Sequence, residues 1–126
     1  MRYLDDHIVA GDTTEQLTIL VSDEPGQGEY SIIEPVKKGG LRAALHAMPE
    51  CQITFQNGPI KEHGVNGITQ EALLAIVIDR LRSFQLGPFS CRENAIALTN
   101  CEEALMWLQR RTVARIKRGV EGTNQK

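Results

Sequence analysis

Two arginines near the end of the chain have a spacing that suits a phosphate-bearing ligand. Arg111 and Arg115 lie four positions apart in RRTVARIKR, residues 110–118, so on a helix their guanidinium groups emerge on one face. Guanidinium groups bind phosphate through paired hydrogen bonds, and two of them can bracket a pyrophosphate. A simpler explanation is also open, because cations in the last turns of a helix interact favourably with its dipole.

Two more candidate residues lie in FQLGPFSCREN, residues 84–94. Phe84 can stack on a planar base, a contact whose loss costs about 1–3 kcal/mol in single-strand binders. Asn94 carries donors and an acceptor for a base edge or a ribose hydroxyl, and a helix N-terminus beside it suits an anion. The alternatives are that Phe84 is a core residue and that Asn94 fixes the register of a helix–helix seam.

The composition predicts an ordinary soluble domain. The 126 residues are 41% hydrophobic and 24% charged, which favours a single globular domain. No apolar run approaches the roughly 18 residues of a membrane span, and the N-terminus lacks the apolar core of a signal peptide. We therefore expect a cytoplasmic protein without a membrane partner.

The cysteines do not indicate a metal site or a disulfide framework. Cys51, Cys91 and Cys101 show no CxxC spacing and no histidine cluster nearby, and three cysteines cannot pair completely. Cys91 and Cys101 fall within a helical pattern, where we expect buried free thiols. No catalytic residue, metal or cofactor is predicted.

The net charge of −2 is unevenly distributed along the chain. Residues 1–60 contain four Lys or Arg and nine Asp or Glu, a net charge of −5, whereas residues 61–126 contain ten and seven, a net charge of +3. The positive excess in the second half indicates an anionic partner.

The first 60 residues have the pattern of β-strands. Residues 16–22 and 29–35 are rich in β-formers and flank DEPGQG, which predicts a hairpin with a loop of about six residues. Residues 51–56 predict another strand, residues 38–48 a short helix, and the glycine-rich residues 57–67 a loop.

The remaining residues predict two helices joined by a short turn. The first covers residues 71–86, is capped by Thr69, is apolar on most sides and should be largely buried; Gly87 and Pro88 end it. The second begins at an S-x-x-E capping box of Ser90 and Glu93, runs to about residue 118, and is followed by a tail.

A heptad-like seam runs along the second helix, with spacings of three and four residues. It is apolar in its middle but has Asn94 at one end and Arg115 at the other. These two residues are either exposed to solvent or satisfied by partners from outside their own helix. The fold class is therefore α+β: a small N-terminal antiparallel β-sheet (1–60) followed by a long antiparallel two-helix hairpin (68–119), in a single domain (1–126).

Three strings of the sequence resemble a known family. FQNGPIKEHGVNG, GPFSCRENAIALTNCEEALMWLQRRT and ARIKRGVEGT are similar to the phage-encoded Thoeris anti-defence family, which shares its helical hairpin with anti-CBASS sponge proteins. The resemblance covers roughly residues 54–123. It implies a non-enzymatic sponge, acting in the host cytoplasm, that sequesters a cyclic ADP-ribose isomer made by TIR-domain proteins. Some members also bind the cyclic di- or trinucleotides of CBASS at separate pockets.

The resemblance also implies the binding residues and an assembly. The family's ligand contacts correspond to Phe84, Asn94, Arg111 and Arg115, and all four residue types are retained. Lys61, in the loop NGPIKEHG, is the candidate for a second pocket that takes cyclic trinucleotides if three or more chains gather around an axis. The alternative is a loop lysine that only contacts water. Related sponges form hexamers, as trimers of dimers, so a homo-oligomer is expected, with no DNA or RNA partner.

The length of the second helix separates the four residues. Asn94 and Arg111 are 17 positions apart, about 25 Å at 1.5 Å per residue, far more than a cyclic ADP-ribose spans. If all four bind one ligand, two chains must lie antiparallel and form two identical composite pockets. We expect both arginines to be exposed, so that Arg111→Ala or Arg115→Ala weakens binding without unfolding the protein.

Three other functions remain open from the residues. An enzyme that cleaves the same nucleotide could use Cys91, His63 or Glu93, although no nucleophile–base pair is visible. A nucleic-acid-binding hairpin fits the basic cluster but not the overall pI of about 5.9. The third alternative is a purely structural oligomer that binds no nucleotide.

Overall fold

The computed structural model describes residues 2–10, 17–22, 29–33 and 51–125. Contacts divide the chain into two compact units, Met1–Phe55 and Gln56–Lys126. The helix expected at 38–48 and the hairpin loop expected at 23–28 lie outside the described residues.

The first unit contains a four-stranded antiparallel sheet. Its strands are β1 (Arg2–Leu4), β2 (Thr18–Val21), β3 (Glu29–Ile33) and β4 (Cys51–Thr54), in the spatial order β1-β2-β3-β4. The antiparallel pairing of β2 with β3 confirms the predicted hairpin. Strand β1 was not predicted from the sequence, because three residues are too few to show an alternating pattern.

The register of the sheet places its most buried side chains in the two central strands. Ile19 lies opposite Ile32, and Leu20 lies opposite Ser31, so Leu20 and Ile33 share one face and form a small apolar cluster. Val21, fully buried, points to the other face. At one end of the sheet, the rings of Tyr30 and Phe55 make an edge contact with centroids 5.6 Å apart.

The second unit contains a two-helix hairpin preceded by a single helical turn. These helices are α1 (Ile60–His63), α2 (Gln70–Gln85) and α3 (Arg92–Arg118). Residues 57–67 were predicted to be loop throughout, which is wrong for the four residues of α1. Together with the N-terminal sheet, the hairpin confirms the predicted α+β architecture. No helix among the described residues is long and apolar enough to cross a bilayer.

Local sequence signals explain both ends of α2. The hydroxyl of Thr69 accepts a hydrogen bond from the backbone N–H of Ala72 at 3.2 Å, so this residue caps the helix as predicted. At the other end, Gly87 and Pro88 follow the last turn. Many helices end in a glycine with a positive φ. Gly87 does not have one, so α2 ends without this left-handed cap.

The expectation that α2 is largely buried is wrong. Only Ile78 is buried in this helix, whereas Ile76 is 63% exposed and Val77 is 38% exposed. The reason is geometric: α3 covers one face of α2, but the sequence is apolar on most sides. Apolar surface of α2 is therefore left uncovered by the other described residues of the second unit.

The predicted seam of α3 is confirmed from Asn94 to Arg115. Its half-buried or buried positions follow the spacings of four and three residues and face the rest of the hairpin; they are Asn94, Leu98, Cys101, Leu105, Leu108, Thr112 and Arg115. An exposed ion pair between Arg82 of α2 and Glu102 of α3, 2.7 Å long, adds little, since such pairs contribute about 0–1 kcal/mol.

Candidate ligand-binding site

At the turn between α2 and α3, two aromatic rings and an arginine form one cluster. The rings of Phe84 and Phe89 meet edge to face with centroids 5.8 Å apart. The guanidinium of Arg80 lies 4.7 Å from the centroid of the Phe84 ring, within range of a cation–π interaction. Phe84 is half-buried and Phe89 is 69% exposed, so this corner presents aromatic surface to solvent.

Asn94 is tied to the same corner by its side chain. Its Nδ2 donates to the backbone carbonyl of Phe89 at 3.3 Å, which orients the amide in the first turn of α3. The structure thus brings Phe84 and Asn94 to one end of the hairpin. Sequence reasoning missed Arg80 and Phe89, although Arg80 precedes Phe84 by one helical turn.

The start of α3 differs from the prediction by one residue. The N-cap is Cys91, whose Sγ accepts from the backbone N–H of Asn94 at 3.4 Å, so the capping box of Ser90 and Glu93 is not formed. The side chain of Gln85 accepts from the backbone N–H of Cys91 at 3.2 Å and fixes this register. Cys91 is exposed rather than buried as expected, and Cys101 is half-buried.

At the opposite end of the hairpin, a cleft of about 750 Å³ lies where α2 begins and α3 ends. Its walls come from the first turn of α2, the last turns of α3 and two further residues. The lining residues are Gln56, Thr69, Gln70, Glu71, Gln109, Arg111, Thr112, Val113 and Glu121. The N–H groups at the start of a helix favour anions, and Arg111 adds a positive charge opposite them.

Arg111 and Arg115 differ in their environments. Arg111 is exposed and has no hydrogen bond or ion pair within the residues that the structure describes. Arg115 is 5% exposed and is the only buried charged residue among them. The expectation that both arginines are exposed is therefore wrong for Arg115.

Arg115 is buried because the chain after α3 folds around its guanidinium. Nε lies 3.0 Å from the carboxylate of Glu121. Nη2 donates to the carbonyls of Val120 at 2.9 Å and Thr123 at 3.0 Å, and Nη1 donates to the carbonyl of Gln125. Residues 119–125, which we call the C-terminal loop, are therefore a folded loop held by hydrogen bonds to Arg115. The sequence predicted only a tail here.

A glycine at the end of α3 begins this loop. Gly119 has a left-handed φ of 73°. Its N–H bonds to the carbonyl of Ile116, and the next N–H, of Val120, bonds to the carbonyl of Arg115. These two bonds are the Schellman pattern, which requires a residue that tolerates positive φ. The predicted end of α3 at Gly119 is confirmed.

Lys61, the candidate for a second pocket, packs against the C-terminal loop. Its backbone N–H donates to the carbonyl of Gly122 at 3.2 Å. A Cβ on Gly122, whose φ is +81°, would lie 3.1 Å from the Cγ of Lys61. The side chain of Lys61 is nevertheless exposed as a whole, and no described residue pairs with its ammonium group.

Two amide side chains, which sequence reasoning missed, hold the segment that carries Lys61. Gln56 Nε2 donates to the carbonyls of Gly58 and Gly64, at 3.1 and 2.8 Å. Asn66 exchanges two hydrogen bonds of 2.8 Å with the backbone of Asn57. The two are also linked, because the N–H of Asn66 donates to Gln56 Oε1 at 2.9 Å. This segment is therefore fixed by its own side chains.

The four predicted ligand contacts fall into two groups within one chain. Phe84 and Asn94 lie at the turn, whereas Arg111 and Arg115 lie near the other end of α3. Because α3 is continuous over 27 residues, Asn94 and Arg111 are held about 25 Å apart. One chain does not bring the two groups together. Within the described residues, no cluster of His, Cys, Asp or Glu has the composition of a metal site.

Comparison with known proteins identifies the hairpin. The family model of the Acb2/Tad1 hairpin domain matches residues 48–113, just over half of the chain. A protein of Bacillus phage SBSphiJ7 named "Thoeris anti-defense 1" is 58% identical over 74 residues, which are 59% of this chain and 52% of that protein. This chain therefore spans about half the length of that relative. The match over residues 48–113 shows that the chain belongs to the Acb2/Tad1 hairpin family, as its resemblance to the Thoeris anti-defence sponges indicated.

Proposed function

We propose that this chain is a phage anti-defence protein that binds and sequesters a cyclic nucleotide immune signal without cleaving it. The first ligand class is the cyclic ADP-ribose isomers made by TIR-domain proteins of Thoeris, and the site of action is the cytoplasm of the host. Membership of the hairpin family and the likeness to a relative named for Thoeris anti-defence support this proposal.

The observation that carries the proposal is the guanidinium of Arg111, which lines the cleft at the start of α2, is exposed, and has no partner among the described residues. A pyrophosphate placed there would receive hydrogen bonds from this guanidinium and a favourable dipole from the helix. Arg115 has one guanidinium N–H left after its four bonds within the C-terminal loop, so its direct contact with a phosphate would be limited to that donor.

The adenine part of the ligand would be held by the other end of the hairpin. Phe84 offers a ring for stacking, and the amide of Asn94 keeps its oxygen and one N–H for a base edge. Since these groups lie about 25 Å from Arg111 along α3, a complete site requires the turn of one chain to meet the cleft of another.

Unpaired apolar surface on the hairpin supports an assembly of this kind. Large apolar side chains on both long helices and on the turn are 43% to 91% exposed; they include Ile76, Leu86, Phe89, Ile96, Met106 and Val113. A second chain packed against the hairpin would remove these side chains from water, which stabilises an assembly. A two-fold dimer would create two identical pockets. A trimer of dimers would bring six Lys61 segments, two from each dimer, into one assembly.

A second ligand class is proposed for that larger assembly. Cyclic di- or trinucleotides of CBASS would bind away from the Arg111 cleft, with the ammonium of Lys61 facing a phosphate. The hydrogen bonds of Gln56 and Asn66 support this assignment, because the backbone that carries Lys61 is already fixed and loses little entropy on binding.

The decisive experiment combines native mass spectrometry with ligand recovery. A TIR-generated cyclic ADP-ribose isomer is mixed with the protein, and the complex is weighed intact; two ligands per dimer are expected. The protein is then denatured and the ligand analysed. Intact ligand supports sequestration, whereas a cleavage product would show an enzyme, and a monomer that binds at full affinity would refute the two-chain site.

Arg111→Ala provides the matched control in the same assay. This exposed side chain has no intramolecular partner within the described residues, so its loss should weaken ligand binding and leave the mass of the assembly unchanged. Duplex and single-stranded DNA serve as competitors, and we expect neither to displace the ligand, because the chain has a net charge of −2.

A further inference from the structure

Glu121 is an unexpected residue in a cleft proposed to bind an anion. Its side chain is 41% exposed and lines the same cleft as Arg111. One carboxylate oxygen, Oε2, accepts from Arg115 Nε at 3.0 Å. Its other oxygen has no hydrogen bond within the described part of the chain, so it keeps free acceptor capacity.

The position of this carboxylate is set by the C-terminal loop. Four hydrogen bonds from Arg115 hold the loop around its guanidinium, and the carbonyl of Gly122 receives the N–H of Lys61. The loop is thus anchored on both sides of Glu121, and a fixed carboxylate can select a ligand by geometry as well as by charge.

From this arrangement, and resting on the proposed function, we propose that Glu121 is a specificity-determining residue that accepts a hydrogen bond from a ribose hydroxyl of the ligand. Acidic side chains are used in this way at nucleotide sites, where they bind the hydroxyls of the sugar beside the phosphates. In the same cleft the carboxylate repels surplus negative charge. The cleft therefore favours a phosphate ligand that carries sugar hydroxyls over an equally charged anion without them.

Arg115 is a positioning residue in this scheme. Its guanidinium donates one hydrogen bond to the carboxylate of Glu121 and three to backbone carbonyls. It therefore orients Glu121 and neutralises part of the negative charge of that carboxylate. Arg111, which has no intramolecular partner among the described residues, is left as the principal phosphate contact. The two arginines, identical in type and four residues apart, thereby have different tasks.

The test compares Glu121→Gln with Glu71→Gln, which removes an equal charge from the same cleft without touching Arg115. Two probes are titrated calorimetrically: a TIR-generated cyclic ADP-ribose isomer and inorganic pyrophosphate. Glu121→Gln keeps a side-chain oxygen that can accept the hydrogen bond from Arg115, so the loop should stay folded. The melting temperature of the variant checks this.

For Glu121→Gln we expect about 5- to 10-fold weaker binding of the cyclic ADP-ribose isomer, because a charged acceptor becomes a neutral one. Pyrophosphate should bind about 3-fold more tightly, because a nearby like charge is removed. Glu71→Gln should strengthen pyrophosphate binding without the loss of the sugar-bearing ligand.

Three outcomes overturn the inference: no change in either affinity, a parallel fall of both, or the same pair of changes in Glu71→Gln. A wild-type protein that binds neither probe would instead refute the proposed function itself.

Discussion

Replacing Arg115 by alanine should destabilise the protein, although the residue lies in the last turns of a surface helix. Its guanidinium makes four hydrogen bonds within the C-terminal loop, and the side chain is only 6% exposed. A hydrogen bond to a charged group contributes about 1.5–3 kcal/mol net, so four would set an upper bound of about 6–12 kcal/mol.

The expected loss is smaller than that bound, because the acceptors recover water when the loop detaches. Glu121 is already 41% exposed, and residues 124 and 125 are exposed. Removing one partner of a buried ion pair typically costs 3–5 kcal/mol, so we expect a decrease of about 2–4 kcal/mol in the free energy of unfolding. This corresponds to a fall of about 10 °C in melting temperature for a chain of this size.

Urea unfolding at a fixed protein concentration measures the change, since the stability of an oligomer depends on concentration. Arg111→Ala is the matched control: it removes the same side chain from the same helix, but from an exposed position, and should shift the free energy by no more than about 0.5 kcal/mol. Amide exchange adds a local readout, because the N–H of Lys61 should lose protection in Arg115→Ala alone. Equal urea midpoints for the two variants would show that the Arg115 contacts do not stabilise the fold.

Three further predictions use other parts of the second unit. Phe84→Ala should weaken binding of a cyclic ADP-ribose isomer by about 1–3 kcal/mol, through lost stacking, and unchanged affinity in a calorimetric titration would remove Phe84 from the site. Gly122→Ala should cost about 1–3 kcal/mol in thermal unfolding because of its positive φ and its contact with Lys61. Gly119→Ala also has a positive φ, of 73°, but has open space around an added Cβ, so equal losses would mean that the contact is unimportant. Asn66→Ala should lower the free energy of unfolding by about 1–2 kcal/mol through the loss of its two exposed hydrogen bonds to the backbone of Asn57, and an equal effect of Asn57→Ala, which keeps that backbone, would contradict this assignment.

Features that depend on neighbouring residues were predicted well from the sequence. The seam of α3 follows from the spacing of its apolar residues, because a helix repeats every 3.6 residues whatever lies around it. Thr69 and Gly119 mark helix ends for equally local reasons, a hydroxyl near a free N–H and a residue that tolerates positive φ. The separation of Asn94 from Arg111 needs only helix geometry.

Features that depend on distant partners were not predictable. The predicted capping box began at Ser90, but the N-cap is the next residue, Cys91. The reason is that the side chain of Gln85, on the preceding helix, fixes the backbone of Cys91. The exposure of Ile76 could not be foreseen either, since an apolar pattern does not reveal whether the covering surface belongs to the same chain.

The amino-acid sequence alone therefore determined the helical hairpin and the separation of Asn94 from Arg111, because these follow from local periodicity and helix geometry. Its motifs also carried the resemblance that indicated the family. Only the tertiary structure decided that Arg115 is buried, that residues 119–125 fold around it, and that Glu121 shares the cleft with Arg111. The physical reason is that the guanidinium is paired largely with backbone carbonyls, whose positions depend on the path of the chain and are not encoded in any side-chain pattern.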